Sequence, residues 1–337
     1  MATRRREPKK KSNNGIWVGT AISMGIIVLI SLALYFKFKP APADSQSGAI
    51  TEANLAKQTF KAEGLPKLGD APGGSGSFAD LLTTIGGAKN VMSAGGFEEE
   101  KKAKATEVCA ALHGAAASSI SEGFLDAGID PKRFESAELR SDLGVLGKAV
   151  RLQVKAHLDD VEFDQAQAIA LSYLKLGQQA FEKNIRLKSR QRGFAMMKSA
   201  LSTLGQVNRA RYDDGEIKQD KLTELNNQVM KWNNAIKTVE DVWNSKLKST
   251  ESVNQPKGIP NIGDLIQIAK EDKDRSFRIW AARRLGYALF ERGDKGNQEA
   301  INAAIEELKA DSDKLVAKAA EAGQSIADSD EYYELRK

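Results

Sequence analysis

The fold of this chain is decided by residues 222–243, which read LTELNNQVMKWNNAIKTVEDVW. Seven of its apolar residues recur at alternating intervals of three and four, which places them on one face of an α-helix. These residues are Leu222, Leu225, Val229, Trp232, Ile236, Val239 and Trp243. The pattern predicts one long helix from about 216 to 248, preceded by a turn at Asp213-Asp214-Gly215.

This apolar stripe at 222–243 has two interpretations. In the first, it packs against neighbouring helices of the same chain, as most amphipathic helices do. In the second, its three heptads form a coiled coil with another copy of the chain, so that the protein self-associates. The sequence leaves both open.

Further parts of the chain are also predicted to be helical. No proline lies between Pro131 and Pro256, and proline costs about 3 kcal/mol in a helix interior. Apolar spacing predicts further helices at about 98–126, 133–157, 164–187 and 190–211. Because no stretch alternates in the manner of a β-strand, we expect an all-α fold.

The N-terminal end has the pattern of a membrane anchor. Residues 12–36 carry no charge and follow six basic residues, and a helix needs about 20 apolar residues to cross a bilayer. We therefore expect a basic cytoplasmic tail at 1–15 and a single transmembrane helix at 16–38. The excess of positive charge before the span predicts a cytoplasmic N-terminus in the cytoplasmic (inner) membrane, with the bulk of the chain outside the cytoplasm.

A cleaved signal peptide is the alternative to this uncleaved anchor. The small residues Ala41-Pro42-Ala43 resemble a cleavage site, with cleavage after Ala43. The apolar core of a signal peptide is about 7–15 residues long, and the uncharged run at 12–36 is longer. The length therefore favours the anchor.

Composition divides the remaining chain into segments. Residues 39–77 are rich in Pro, Gly, Ser and Ala and predict a flexible linker. We expect a helical domain with long helices at 78–255, a repeat-containing part at 256–330 and a short tail at 331–337. Residues 1–39 hold eight of the 50 basic and one of the 45 acidic residues, which leaves 42 basic and 44 acidic residues after them. This nearly neutral balance predicts no nucleic-acid partner.

The C-terminal part contains a sequence repeat. Asp274, Phe277 and Ala281 recur 39 residues later as Asp313, Val316 and Ala320. Over about 260–325 the sequence resembles HEAT repeats, in which an Asp caps the turn before the second helix and small alanines allow close packing. A second set of residues, from Tyr173 through Gly193 to Ala200, resembles tetratricopeptide repeats over about 165–205. Both families stack helical pairs and bind partners on the resulting surface, so the resemblance implies a helical-repeat α-solenoid or bundle.

No residue pattern predicts a catalytic centre, a metal site or a cofactor. His113 and His157 are the only histidines and have no Cys or acidic residue at ligand spacing. Cys109, the only cysteine, lies in an alanine-rich predicted helix and is interpreted as a small buried residue. We therefore expect a protein that is not an enzyme. The alternative is a cell-wall hydrolase, although the chain lacks the motif of the lytic transglycosylases.

One segment is unusually basic. Residues 183–211 contain eight positive side chains and no acidic residue. They are Lys183, Arg186, Lys188, Arg190, Arg192, Lys198, Arg209 and Arg211. One interpretation is a solvated face balanced by acidic residues elsewhere in the fold. The other is a binding site for an anionic partner such as lipid head groups, an acidic protein or a cell-wall polymer.

Together these features predict a membrane-anchored, extracytoplasmic scaffold or adaptor. Its helical repeats would mediate protein–protein interactions in the cell envelope, and its partners are not specified by the sequence. An accessory, chaperone-like subunit of a secretion or translocation complex is the alternative.

Overall fold

The computed structural model of this chain describes residues 76–93, 97–118, 120–250, 261–291, 295–327 and 335. Within those ranges it contains ten α-helices and no β-strand, which confirms the all-α prediction for this part of the chain. In chain order they are α1 (Phe78–Ser93), α2 (Glu98–Ala117), α3 (Ala137–Asp159), α4 (Phe163–Lys183), α5 (Leu187–Asp213), α6 (Gln219–Ser249), α7 (Ile262–Glu271), α8 (Arg275–Glu291), α9 (Lys295–Lys309) and α10 (Lys314–Ala327).

Some of the predicted segments lie outside the described residues. They are the tail 1–15, the membrane segment 16–38, nearly all of the linker 39–77, the boundary at 255–256 and most of the tail 331–337. None of the helices within the described ranges has both the length and the apolar character needed to span a membrane.

Two helices begin at side-chain caps. The Ser136 hydroxyl oxygen accepts a hydrogen bond from the Leu139 backbone N–H at 3.1 Å, at the start of α3. The Asn261 side-chain oxygen accepts one from the Gly263 N–H at 3.2 Å, at the start of α7. The first N–H groups of a helix have no partner within the helix, so such caps fix where it begins.

The long helix predicted from the apolar stripe is α6. It runs Gln219–Ser249, against the predicted 216–248. The turn before it is closed by Gly215, whose φ of 81° lies in the left-handed region that favours glycine. The prediction of this helix and of its preceding turn is confirmed.

The helix predicted at 98–126 is confirmed as far as Ala117 and was wrong beyond that residue. Helix α2 ends at Ala117, and the backbone then forms turns that include Gly123 and Gly128, with φ values of 70° and 74°. The side chain of Asn184, at the end of α4, accepts a hydrogen bond from the Leu125 N–H at 2.8 Å. Contacts with a distant part of the chain therefore replace the helical hydrogen bonds that the local sequence favours.

The larger hydrophobic core lies among α1 to α6, and the apolar stripe of α6 contributes to it. Trp232, Ile236, Val239 and Trp243 are buried there, and Val229 packs against the same core from a partly buried position. The apolar stripe of α6 therefore packs against other helices of the same chain. Self-association through the same side chains would require them to leave this core.

A second hydrophobic core lies among helices α7 to α10. Helix α8 is central in this part of the structure, because it packs against α7, α9 and α10 and also contacts α5. Phe277 of α8 belongs to the larger core, where its ring meets that of Trp243 edge-on at 5.6 Å. The two cores are therefore joined through α8.

Glycine allows two pairs of helices to approach closely. A Cβ atom on Gly193 of α5 would lie 2.6 Å from the Gly177 carbonyl oxygen of α4. A Cβ atom on Gly286 of α8 would overlap the carbonyl group of Gly323 in α10. In both places backbone packs against backbone, which only residues without a side chain permit.

Candidate functional site

Most of the eight predicted basic side chains have partners inside the chain. Lys183 donates to the Ile120 carbonyl at 2.5 Å, and Lys188 lines a small cavity together with Glu135 and Arg192. Four of the others form ion pairs of 2.5–2.9 Å with acidic residues on several elements. These pairs are Arg192–Glu135, Lys198–Glu240, Arg209–Asp213 and Arg211–Asp164.

These contacts match the interpretation in which acidic residues elsewhere balance the basic segment. The partners lie before α3, on α4, on α5 itself and on α6, so the cations are distributed around α5 and not gathered on one surface. Binding of an anionic partner to the eight residues together stays a prediction. Two of the eight have further contacts: Arg190 forms a largely buried ion pair with Asp274, and Arg186 lines a cavity.

Arg190 of α5 lies at the larger hydrophobic core and reaches the start of α8. Its Nη1 group is 3.1 Å from Asp274 and donates to the Ser276 hydroxyl at 2.9 Å. Its guanidinium also lies over the rings of Phe181 and Trp243, 4.6 and 5.0 Å from their centroids. The ion pair is well buried, with side-chain exposures of 13% for Arg190 and 9% for Asp274. Together with its aromatic neighbours it connects α5 to the start of α8.

Asp313 repeats the contacts of Asp274 at the start of α10. The Asp274 carboxylate accepts from the Ser276 N–H at 2.8 Å, and the Asp313 carboxylate accepts from the Leu315 N–H at 3.0 Å. Each also binds an arginine of an earlier helix, since the Arg275 Nε of α8 lies 2.6 Å from Asp313. The Arg275 hydrogen bond lowers the pKa of Asp313. The two aspartates of the sequence repeat therefore share one local role.

A cavity of about 240 Å³ lies beside α8 and α10. Three cationic side chains line it: Arg186, just before α5, Arg283 of α8 and Lys318 of α10. Arg283 is only 5% exposed, and its Nε donates to the Pro131 carbonyl at 2.6 Å. Burial, together with the nearby charge of Arg186, lowers the pKa of Arg283 to about 10, so that it still carries its positive charge at neutral pH.

Arg186 is held at this cavity by backbone oxygens. Its guanidinium donates to the carbonyls of Ile129 at 3.1 Å, Asp130 at 3.4 Å and Arg133 at 2.5 Å. One oxygen of Asp126, which also lines the cavity, accepts from the backbone N–H of Arg186 at 3.1 Å. Its other oxygen is buried and has no hydrogen-bond partner among the described residues. Asp126 therefore shapes the backbone here and forms no direct ion pair with the arginines.

The two histidines and the cysteine form no catalytic arrangement in the described part of the chain. His113 Nδ1 lies 2.6 Å from the Ser172 hydroxyl, but that hydroxyl donates to the Ala168 carbonyl at 3.0 Å and Ser172 is fully buried. Burial raises the pKa of Cys109 to about 12, which disfavours the reactive thiolate. The described residues also contain no cluster of three or more His, Cys, Asp or Glu that could hold a metal ion.

The position of His113 predicts a loss of stability in acid. Burial, and secondarily the charge of His157, lowers the pKa of His113 below its usual value near 6.5. The unfolded chain then binds a proton more readily than the folded one, so the stabilisation is complete above about pH 6.5 and is lost as the pH falls through the folded-state pKa. We expect His113→Asn to flatten the decrease in unfolding free energy between about pH 7.5 and pH 5, measured by urea denaturation.

A second variant provides the control for this prediction. His157→Gln removes the neighbouring charge and leaves the burial of His113, which is the larger cause of its pKa shift. That variant should keep most of the pH dependence. If the unfolding free energy fell equally steeply with decreasing pH in the original chain and in His113→Asn, the prediction would be contradicted.

No match was found when the chain was compared with protein-family models, with curated proteins and with solved structures. The fold and the contacts described above define an all-α protein with a repeated Asp–Arg arrangement and a cation-lined cavity. Sequence reasoning identified Arg186 but missed Arg283, Lys318 and Asp126.

Proposed function

We propose that this chain is a membrane-anchored, extracytoplasmic helical-repeat scaffold or adaptor that mediates protein–protein interactions in the cell envelope. The observation that carries the proposal is the repeated role of Asp274 and Asp313, each of which caps a helix and binds an arginine of an earlier one. This supports the resemblance to HEAT repeats over 260–325. Stacked repeats of that kind offer a continuous surface to a partner.

Exposed apolar side chains of the helical part are the positions at which we test for a partner. Five large ones are exposed in the described part of the chain, at 38–85% of their surface. They are Phe97, Val161, Met230, Val242 and Phe290. The uncharged run at 12–36 with its basic flank supports the membrane anchor.

The location can be tested with a single introduced cysteine. Cys109 is 2% exposed, so the original chain should react slowly with maleimides until it is unfolded. Lys237→Cys places a thiol on an exposed position of α6. In spheroplasts, a membrane-impermeant maleimide should label Lys237→Cys and leave the original chain unlabelled. Labelling of Lys237→Cys only after lysis would overturn the extracytoplasmic part of the proposal.

The adaptor role needs a separate test. A photo-crosslinking residue is introduced in cells at each of the five exposed apolar positions, and at the exposed Lys231 and Lys237 as controls. We expect one reproducible crosslinked protein from a subset of the apolar positions, identified by mass spectrometry. A multispanning channel protein as the product would favour the accessory-subunit alternative. No crosslink from any position would overturn the adaptor role.

A further inference from the structure

The cavity beside α8 and α10 carries more positive charge than its surroundings balance. Among the described residues, none of Arg186, Arg283 and Lys318 has a carboxylate oxygen within the 4.0 Å of an ion pair. Asp126 lines the cavity, and the charge of Asp130 also attracts both arginines, so three cations face two carboxylates and a net charge of +1 remains. A buried cation without a close counter-ion is unfavourable, since burial removes its hydration.

Arg283 has the hydrogen-bonding capacity to bind an anion. A guanidinium has five N–H donors, and the one hydrogen bond of Arg283 to a described residue uses Nε. Its two terminal nitrogens have no hydrogen-bond partner among the described residues, and the guanidinium lies 5.8 Å from the centroid of the Phe134 ring. Paired donors of this kind match the two oxygens of a carboxylate or phosphate group.

The other walls of the cavity are apolar. Ile185, Ile279, Leu315 and Ala319 lie between the cationic side chains. A volume of about 240 Å³ corresponds to about eight water molecules at about 30 Å³ each, or to a ligand of about eight non-hydrogen atoms. Lys318 is exposed, so it stands where the cavity meets solvent. This combination suits a ligand with a charged head and a short apolar body.

We propose that this cavity binds a small amphipathic anion, in which a carboxylate or phosphate head contacts Arg283 and Lys318 and a short aliphatic group contacts the apolar walls. The low pKa of Arg283 supports the assignment, because a bound anion would offset both the burial and the repulsion from Arg186 that lower it. This binding does not rest on the proposed role in protein–protein interactions.

Calorimetric titration of the full-length protein tests the site directly. The probes are hexanoate, which has a carboxylate head, butyl phosphate, which has a phosphate head, and hexanol as an uncharged control. We expect at least one anion to bind and hexanol to bind much more weakly. The stronger of the two anions identifies the head group. Failure of both anions to bind, or equal binding of hexanol, would overturn the proposal.

Three variants assign the binding to this cavity. Arg283→Met keeps an unbranched apolar stem and removes the charged guanidinium, and it should weaken anion binding about tenfold or more. Lys318→Glu reverses a charge at the exposed mouth without altering the core, so it remains informative if the first variant fails to fold. Lys314→Met changes an exposed lysine one turn away and should bind as the original chain does. Unchanged binding in Lys318→Glu would contradict the assignment.

Discussion

Replacement of Gly286 by alanine is expected to destabilise the protein by about 3 kcal/mol, at the upper end of the range for overpacking. The added Cβ would overlap the carbonyl group of Gly323, which belongs to the backbone of α10 and cannot move aside as a flexible side chain can. Helices α8 and α10 would have to separate, and the second core lies between them. Urea denaturation of the full-length protein, followed by far-UV circular dichroism, measures the change.

Gly205 of α5 provides a matched control for this substitution. It also lies inside a long helix, but a Cβ there meets nothing within 4 Å. Gly205→Ala should therefore stabilise the protein by about 0.5–1 kcal/mol through helix propensity alone. The two variants should therefore change the free energy of unfolding in opposite directions and by different amounts. Similar stabilities for both would show that α8 and α10 do not approach as closely as the structure indicates.

The long helix α6 could be predicted because its signal is local. Seven apolar residues in 22 positions define one face, and a glycine with positive φ marks the turn before it. Burial of that face in the larger core then follows from the hydrophobic effect. The same local reasoning failed after Ala117, where Asn184 and other distant groups hold the backbone in turns.

The cation-lined cavity could not be predicted for a related reason. Arg186, Arg283 and Lys318 come from segments about 100 and 35 residues apart, and no spacing rule connects them. The excess of basic residues drew attention to 183–211, yet most of those side chains have partners within the chain. Composition therefore located Arg186, whereas the counter-ions and the cavity depend on tertiary packing.

The repeat was visible in sequence only in part. The 39-residue spacing of Asp274 and Asp313 indicated equivalent positions, and both carboxylates cap helices. Their arginine partners are not equivalent in sequence, because Arg190 lies 84 residues before Asp274 and Arg275 lies 38 before Asp313. The caps are local and could be predicted, whereas the ion pairs are long-range.

Replacement of Asp274 by alanine is expected to destabilise the protein by about 3 kcal/mol or more. The substitution removes a negative charge while the guanidinium of Arg190 stays largely buried, and it also removes the hydrogen bond to the Ser276 N–H. The loss of a buried partner costs more than the pair itself contributes, because the Arg190 side chain is only 13% exposed and water compensates its charge poorly. Urea denaturation of the full-length protein gives the free-energy change.

A double-mutant cycle separates the ion pair from the cap, and an exposed ion pair provides the control. Arg190→Met is measured alone and combined with Asp274→Ala, and the double variant should destabilise the protein by less than the sum of the two single effects, by the coupling free energy of the pair. Glu224→Ala breaks the ion pair of Glu224 with Lys221, in which both side chains are about half exposed. This variant should change the free energy of unfolding by less than about 0.5 kcal/mol. If the two single effects were simply additive in the double variant, the effect of Asp274→Ala would come from the helix cap, and the Arg190–Asp274 pair would not be what joins α5 to α8.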